Sequence, residues 1–443
     1  MDHVDPVSAL NRQHNAALPI GKLVDEVVVD VFRTYRTLCF NGNRQELSRY
    51  AWLSVTHVCH RWRTLALHTP SMWNTIHTDA NSCIVATMLS RSAQSPLTIR
   101  PALGRTSALS LLMQELPRIR FLDVMVTHHT LLDVLGACGS VPPSTVLTRL
   151  ALNLCDETAA VDPAVVLARF GASRLRSFSL QSCTALSPSP FLLPSSLQEL
   201  SLGQQDAAPW PAARLSALLS ALPRLQSLSL DNLIPDAFSP RGTLTLPNLA
   251  SLSVTDALPR ITSFLAWIRA PALRDTALYG SGTPDGSAVL ALSQVLRARL
   301  RDGGAAPVFA RFEYTQDPLA ECDAEYIVAT LTGGAGAVPA PRLHVDFTLP
   351  LEDHDVLPAF IGALPLRTVT QCELNLAGED ADAALLWPDD NYCAWRTAFG
   401  ALGALEELTI ANACWEEWYA DEDFLGRNGL RGFFPKLRHL WIG

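Results

Sequence analysis

Residues 222–232, LPRLQSLSLDN, and residues 246–256, LPNLASLSVTD, are two copies of one phrase. In the first copy Leu225, Leu228 and Leu230 are apolar, while Ser227 and Ser229 fall between them. Such alternation is the period of a strand with one buried face. Each phrase begins with LP. The residue before a proline avoids helical geometry, so the dipeptide ends whatever helix precedes it. Helical spacing does appear beside both copies, at Leu215, Leu218, Leu219 and Leu222, and at Ile261, Phe264, Leu265 and Ile268. The unit is therefore an amphipathic helix, a stop and a strand.

The phrase keeps returning. Its first apolar position falls at Ile119, Leu147, Leu175, Leu197, Leu225, Leu249, Leu273, Leu405 and Leu437, with Phe309, Leu343 and Val369 continuing it where the wording decays. Leu147 to Cys155 and Leu175 to Cys183 carry the fuller form LxxLxLxxC. Period and form resemble a leucine-rich repeat. The resemblance implies an α/β fold: a curved solenoid of about eleven or twelve units over residues 116–443, with a parallel sheet on its concave face. Each unit buries its apolar side only against its neighbours. Trp415, Trp418 and Tyr419 are candidates to close the far end.

Strand alternation also names an outward face. Ser177, Ser179, Glu199, Ser201, Ser227, Ser229, Ser251 and Ser253 should point out of the sheet, and later strands add Glu406, Glu407 and Thr409. Serines make that face flat. It is the candidate surface for a protein target.

The first hundred residues read differently. Residues 1–17 are polar without periodicity and are expected to be a flexible tail. In LPIGKLVDEVVVDVFRTY, residues 18–35, Pro19 sits just inside a helix start. Leu23, Val24, Val27, Val28, Val31 and Phe32 then recur at helical spacing. After a polar loop comes WLSVTHVCHRWRTLALHTPSMW, residues 52–73. Its apolar stripe holds Leu53, Val55, Val58, Cys59, Trp62, Leu65 and Ala66, while His57, His60, Arg61 and Arg63 fall largely elsewhere. A zinc site would need a convergent ligand set, and no CxxC, HxH or HExxH accompanies these histidines. Acidic residues nearly balance the basic ones over residues 1–80, unlike a nucleic-acid helix. What remains is a small helical unit with more apolar surface than it can bury alone.

These two blocks resemble an F-box, in the form found in mushroom-forming fungi. The likeness covers about residues 18–76 and is carried by LP…LVDEVVVDVF and by VTHVCHRWR, ALHTP and SMW. Gly21 and Lys22 stand where the family commonly has an acidic residue and a leucine. The resemblance implies docking on the Skp-type adaptor of a cullin–RING (SCF) ubiquitin ligase. The positions it marks as adaptor-facing or core are Leu18, Pro19, Leu23, Val27, Val31, Val55, Val58, Cys59, Trp62 and Trp73. Residues 77–115 are then a linker and capping region.

Composition sets the outer limits. Formal net charge is −9 with 48% hydrophobic residues, which argues against a nucleic-acid binder and for packed cores. Charge is uneven: Glu313 to Asp423 holds 22 acidic and 3 basic residues, a stretch that could attract a basic partner. The ten cysteines form no CxxC pair and sit in apolar segments. With no charged-then-apolar leader and no membrane-length apolar run, cytoplasm or nucleus is the expected location. No nucleophile elbow, phosphate loop or EF-hand spacing occurs, so neither enzyme activity nor a cofactor is expected. His344 and Asp346, near Glu352, Asp353, His354 and Asp355, raise a metal site, but Leu343, Val345 and Phe347 alternate with them as in an ordinary strand. The expected function is a ligase's substrate receptor. The alternative is an interaction scaffold with no ubiquitin link.

Overall fold

The computed structural model describes residues 6–41, 50–100, 106–137, 139, 141–155, 163–171, 173–181, 193–203, 210–236, 242–302, 308–319, 324–334, 340–350, 353, 356–376, 397–411 and 434–442. The chain forms two compact units: Met1–Asp156 with Val165–Leu175, and Glu157–Ala164 with Arg176–Gly443. Trp415, Trp418, Tyr419, Glu352, His354 and Asp355 lie outside the described residues.

Unit 1 opens with helices α1 (Pro6–Ala17), α2 (Asp25–Asn41), α3 (Val55–Val58) and α4 (His60–Leu67). Strands and helices then alternate: β1 (Thr75–His77), α5 (Ser82–Arg91), β2 (Leu97–Arg100), α6 (Thr106–Gln114), β3 (Ile119–Val126), α7 (His128–Ala137), β4 (Arg149–Leu154) and α8 (Pro163–Phe170). β1 to β4 pair in parallel and in chain order. Two expectations need correction here. Pro6–Ala17 is a helix, not a loose tail, and it packs on the turn at Pro19–Lys22. The sheet also starts well before residue 116. TIH runs across the boundary drawn at residue 77 and LTIR lies in the proposed capping region, both too short to show an LxxLxL phrase.

Unit 2 carries β5 (Ser177–Leu180), β6 (Glu199–Gly203), α9 (Ala212–Ser220), β7 (Ser227–Asp231), β8 (Leu244–Thr245), β9 (Ser251–Asp256), α10 (Leu258–Trp267), β10 (Ile268–Arg269), β11 (Asp275–Gly280) and α11 (Gly286–Asp302). β12 (Arg311–Leu319), β13 (Ala324–Thr332), β14 (Arg342–Pro350), α12 (Leu357–Ala363), β15 (Gln371–Leu376), β16 (Glu407–Ala411) and β17 (His439–Ile442) follow. β5, β6, β7, β9 and β11 pair in parallel, as do β15, β16 and β17. β8 and β10 make a separate two-stranded ribbon.

The sheet is not parallel throughout. β13 runs antiparallel between β12 and β14, while β14 lies parallel to β11 and β12 parallel to β15. The cause is connection length. Residues 320–323 and 333–341 join these three strands, and a parallel crossover needs about a dozen residues or more. A meander therefore stands where the repeat wording decays. Phe309, Leu343 and Val369 do mark strands β12, β14 and β15, but nothing in that wording marks β13.

Elsewhere the phrase is a reliable ruler. Strands begin two residues after Leu147, Leu175, Leu197, Leu225, Leu249, Leu273, Phe309, Val369, Leu405 and Leu437. The reason is a repeated hydrogen bond. The Gln198 carbonyl accepts the N–H groups of Gln226 (2.7 Å) and Ser227 (2.9 Å), and the Gln226 carbonyl accepts those of Ala250 (2.8 Å) and Ser251 (3.0 Å). Ala250, Ala310, Thr370 and Glu406 carbonyls do the same one unit on. One forked acceptor per unit fixes the register of the next. Burial does the rest: Leu228, Leu230, Leu252 and Val254 are at most 1% exposed. Each such side chain contributes about 1.5–3 kcal/mol. Leu215, Leu218, Leu219, Leu222, Ile261, Phe264, Leu265 and Ile268 are likewise buried.

Asp256 is the unforeseen member of this core. Fully buried at the end of β9, it accepts the Ile234 and Ala257 N–H groups at 2.9 Å and pairs with Arg260 at 3.1 Å. Desolvation raises its pKa, opposed by those donors and by Arg260. The carboxylate ties the turn after one strand to the loop of the unit before.

Candidate functional site

Helix α2 splits the apolar stripe of residues 23–32 into two faces. Val28 and Phe32 are 1% exposed, and Cys39 continues that buried side. Val24, Val27, Val31 and Leu38 lie on the other side at 60%, 44%, 48% and 59% exposure. Valines are modest helix formers, so a helix that presents Val27, Val31 and Leu38 to water gains nothing from them by itself. Asp25 and Glu26 in the first turn suit the helix N-terminus.

Two further segments extend this face. The turn at Pro19–Lys22 leaves Leu18, Ile20 and Leu23 exposed, and α3 adds Val58 at 58%. A groove of about 260 Å³ opens beside them, lined by Leu18, Ile20, Val58, Cys59 and Trp62, with Arg12, Asn15 and Ala16 of α1 on its rim. Gly21 permits this arrangement. A Cβ there would stand 2.3 Å from the Asn15 carbonyl oxygen, so α1 approaches as closely as it does only over a glycine.

Arginines hold the unit together. The Arg61 guanidinium donates to the Gly21 carbonyl (2.7 Å), the Leu23 carbonyl (2.5 Å) and Asp25 (2.5 Å), clamping the turn and the start of α2 onto α4. Arg36 donates to the Ser71 (2.7 Å) and Met72 (2.9 Å) carbonyls, and burial lowers its pKa. Arg33 reaches the Ser71 hydroxyl at 3.0 Å. Arg61 is thus a clamp rather than a member of a merely solvated rim.

No family model matches the chain. No curated protein matches it either. Among solved structures, the crystal structure of the Rad7 and Elc1 complex in yeast holds a chain similar to this one over 93% of both chains, at 14% identity and a TM-score of 0.38.

The ten positions marked by the F-box resemblance divide cleanly. Leu18, Pro19, Leu23, Val27, Val31 and Val58 are exposed, and Leu18 and Val58 line one groove. Cys59 and Trp62 are half-buried in the groove, with the Trp62 ring edge-on to Phe32 at 5.0 Å. Val55 and Trp73 are not surface residues, at 5% and 2% exposure. Trp73 donates to the Ala66 carbonyl at 2.8 Å and meets Trp52 edge-on at 5.2 Å, so it is core rather than a docking contact. The residue reading missed the docking potential of Ile20 and Leu38, and of Val7 and Leu10 on α1, all more than 40% exposed. Only a structure separates apolar residues that face in from those that face out.

The outward serines stand where alternation put them. Ser177, Ser179, Ser201, Ser227, Ser229, Ser251 and Ser253 are half-buried, Glu199 is exposed, and their inward neighbours are buried. Glu406, Glu407 and Thr409 are half-buried at β16. His344 and Asp346 occupy outward positions of β14 between buried Leu343, Val345 and Phe347. Thr330 bonds the His344 ring at 2.8 Å and Tyr326 donates to Asp346 at 2.8 Å, so both have protein partners. Among the described residues no cluster could hold a metal ion. Among the described cysteines, Cys39, Cys59, Cys83 and Cys372 are free, and Cys39 and Cys372 are buried. Among the described residues no helix is long and apolar enough to cross a membrane.

Proposed function

We propose that this protein is the substrate-recognition subunit of an SCF-type cullin–RING ubiquitin ligase. Its N-terminal helices dock on a Skp-type adaptor, and its repeat sheet holds a target protein for ubiquitin transfer. The protein makes and breaks no bonds itself, and it works in the cytoplasm or nucleus, bound to neither nucleic acid nor membrane. The observation that carries the reading is the exposed apolar side of α2 at Val27 and Val31, opposite its buried Val28 and Phe32, together with exposed Leu18, Leu23 and Val58. A face of that kind is unfavourable in water and favourable against a partner. The F-box likeness of residues 18–76 supplies the identity of the partner.

Co-purification of the full chain with a Skp-type adaptor tests this. Wild type should carry the adaptor through size-exclusion chromatography, and Val58→Asp should not. Folded wild-type protein that fails to retain the adaptor would leave an interaction scaffold without a ubiquitin link.

A further inference from the structure

The groove beside the turn at Pro19–Lys22 has two walls of different origin. Leu18 and Ile20 with Val58, Cys59 and Trp62 make one, and all five lie in the block that resembles an F-box. The other is α1, through Arg12, Asn15 and Ala16. At 3.6 residues per turn these three positions fall on one side of a helix. α1 stands before residue 18, outside the F-box likeness, yet it is seated firmly against the turn. A Cβ on Gly21 would meet the Asn15 carbonyl oxygen at 2.3 Å and the Ala16 Cα at 3.0 Å, so the approach of α1 depends on that glycine.

Size and charge say what the groove receives. Sites for free small molecules usually measure about 300–1,000 Å³. At about 260 Å³ this groove suits large side chains reaching in from another protein. No carboxylate lines it, whereas Arg12, His60 and Arg61 do. Arg61 is already paired with Asp25 at 2.5 Å. Arg12 is exposed and has no ion-pair partner among the described residues. The groove is therefore apolar inside with an uncommitted guanidinium at its edge, and it shares Leu18 and Val58 with the docking surface.

We propose that α1 is a second docking element for the adaptor: a large apolar side chain of the adaptor enters this groove, and a carboxylate beside it pairs with Arg12. The proposal rests on the adaptor reading above and adds a helix that the F-box likeness does not include. Apolar burial supplies the affinity. The acid sets orientation, because a guanidinium takes a carboxylate in two parallel hydrogen bonds. Complementary charge across an interface also selects the right partner.

The test uses the full chain and a Skp-type adaptor in titration calorimetry. Arg12→Glu should weaken binding about tenfold by setting like charges together. Ala16→Trp, which fills the groove from α1, should also weaken it about tenfold. Gln13→Glu puts the same charge on α1 outside the groove lining and should bind as wild type does. The gap between wild type and Arg12→Glu should narrow at high salt, since exposed charges are screened. A folding defect would not narrow in that way, and amide exchange over residues 6–17 should be unchanged in Arg12→Glu. Arg12→Glu and Ala16→Trp both binding as wild type does would overturn the proposal and leave the α2 face standing, since Val27→Asp/Val31→Asp reports on that face alone. Equal losses in Gln13→Glu and Arg12→Glu would overturn it too, because any charge on α1 would then suffice. Wild-type protein that binds no adaptor would overturn this proposal together with the reading it rests on.

Discussion

Replacing Val27 and Val31 with aspartate separates docking from folding. Both lie on the open side of α2, at 44% and 48% exposure. Fully burying a valine is worth about 1.5–3 kcal/mol, and half of each is already covered, so a partner's cover adds about 0.7–1.5 kcal/mol per residue. Aspartate removes that gain and leaves a carboxylate to be desolvated without a partner. The double variant should lose at least about 3 kcal/mol of adaptor affinity, more than a hundredfold in Kd. Its own stability should fall by only about 0.7–1.5 kcal/mol per site, the share of burial each valine already has in the free chain, since valine and aspartate have similar helix propensity. Phe32→Ala is the counterpart on the buried side, 1% exposed. It should cost about 3–5 kcal/mol of stability. Titration calorimetry with a Skp-type adaptor and urea unfolding read the two quantities. Folded V27D/V31D that binds within threefold of wild type would refute the docking face, and a large loss of its urea midpoint would refute the split of the helix.

Trp62→Ala should cost about 1.5–3 kcal/mol, less than a fully buried tryptophan, and should also weaken adaptor binding because the ring lines the groove. Lost stability with unchanged affinity would make the ring core alone. Asp256→Ala leaves the Ile234 and Ala257 donors without their acceptor, while Arg260 keeps Asp236, and should destabilise unit 2 by about 2–4 kcal/mol in denaturant unfolding. Asp256→Asn keeps one acceptor and should cost less. Gly21→Ala should drive α1 off its turn, seen as faster amide exchange over residues 6–17 with little change in β3 or β4. Arg61→Ala should cost about 1–3 kcal/mol by releasing the Gly21 and Leu23 carbonyls. An unchanged urea midpoint would show that the clamp is idle.

Some elements were legible and others were not, for reasons that can be named. The LP–LxxLxL phrase located most strands of unit 2 because its leucines must be buried and its forked carbonyl fixes their register. β1 and β2 escaped because three- and four-residue strands carry no phrase. α1 escaped because its residues show no apolar period and its close approach is over a single glycine, Gly21. Trp73 was assigned with the docking set because a buried tryptophan and a docking tryptophan look alike as letters.

By itself the sequence determined the repeat, the outward serines and a helical N-terminal unit with surplus apolar residues. Those follow from period and composition, which are local. Tertiary structure alone decided which valines of α2 face water, because a helix wheel gives the stripe but not the neighbours that cover half of it. It alone reversed β13, since that depends on how far two short connections can reach. It alone set Asp275 beside Arg342, because strand register brings together residues far apart in the chain.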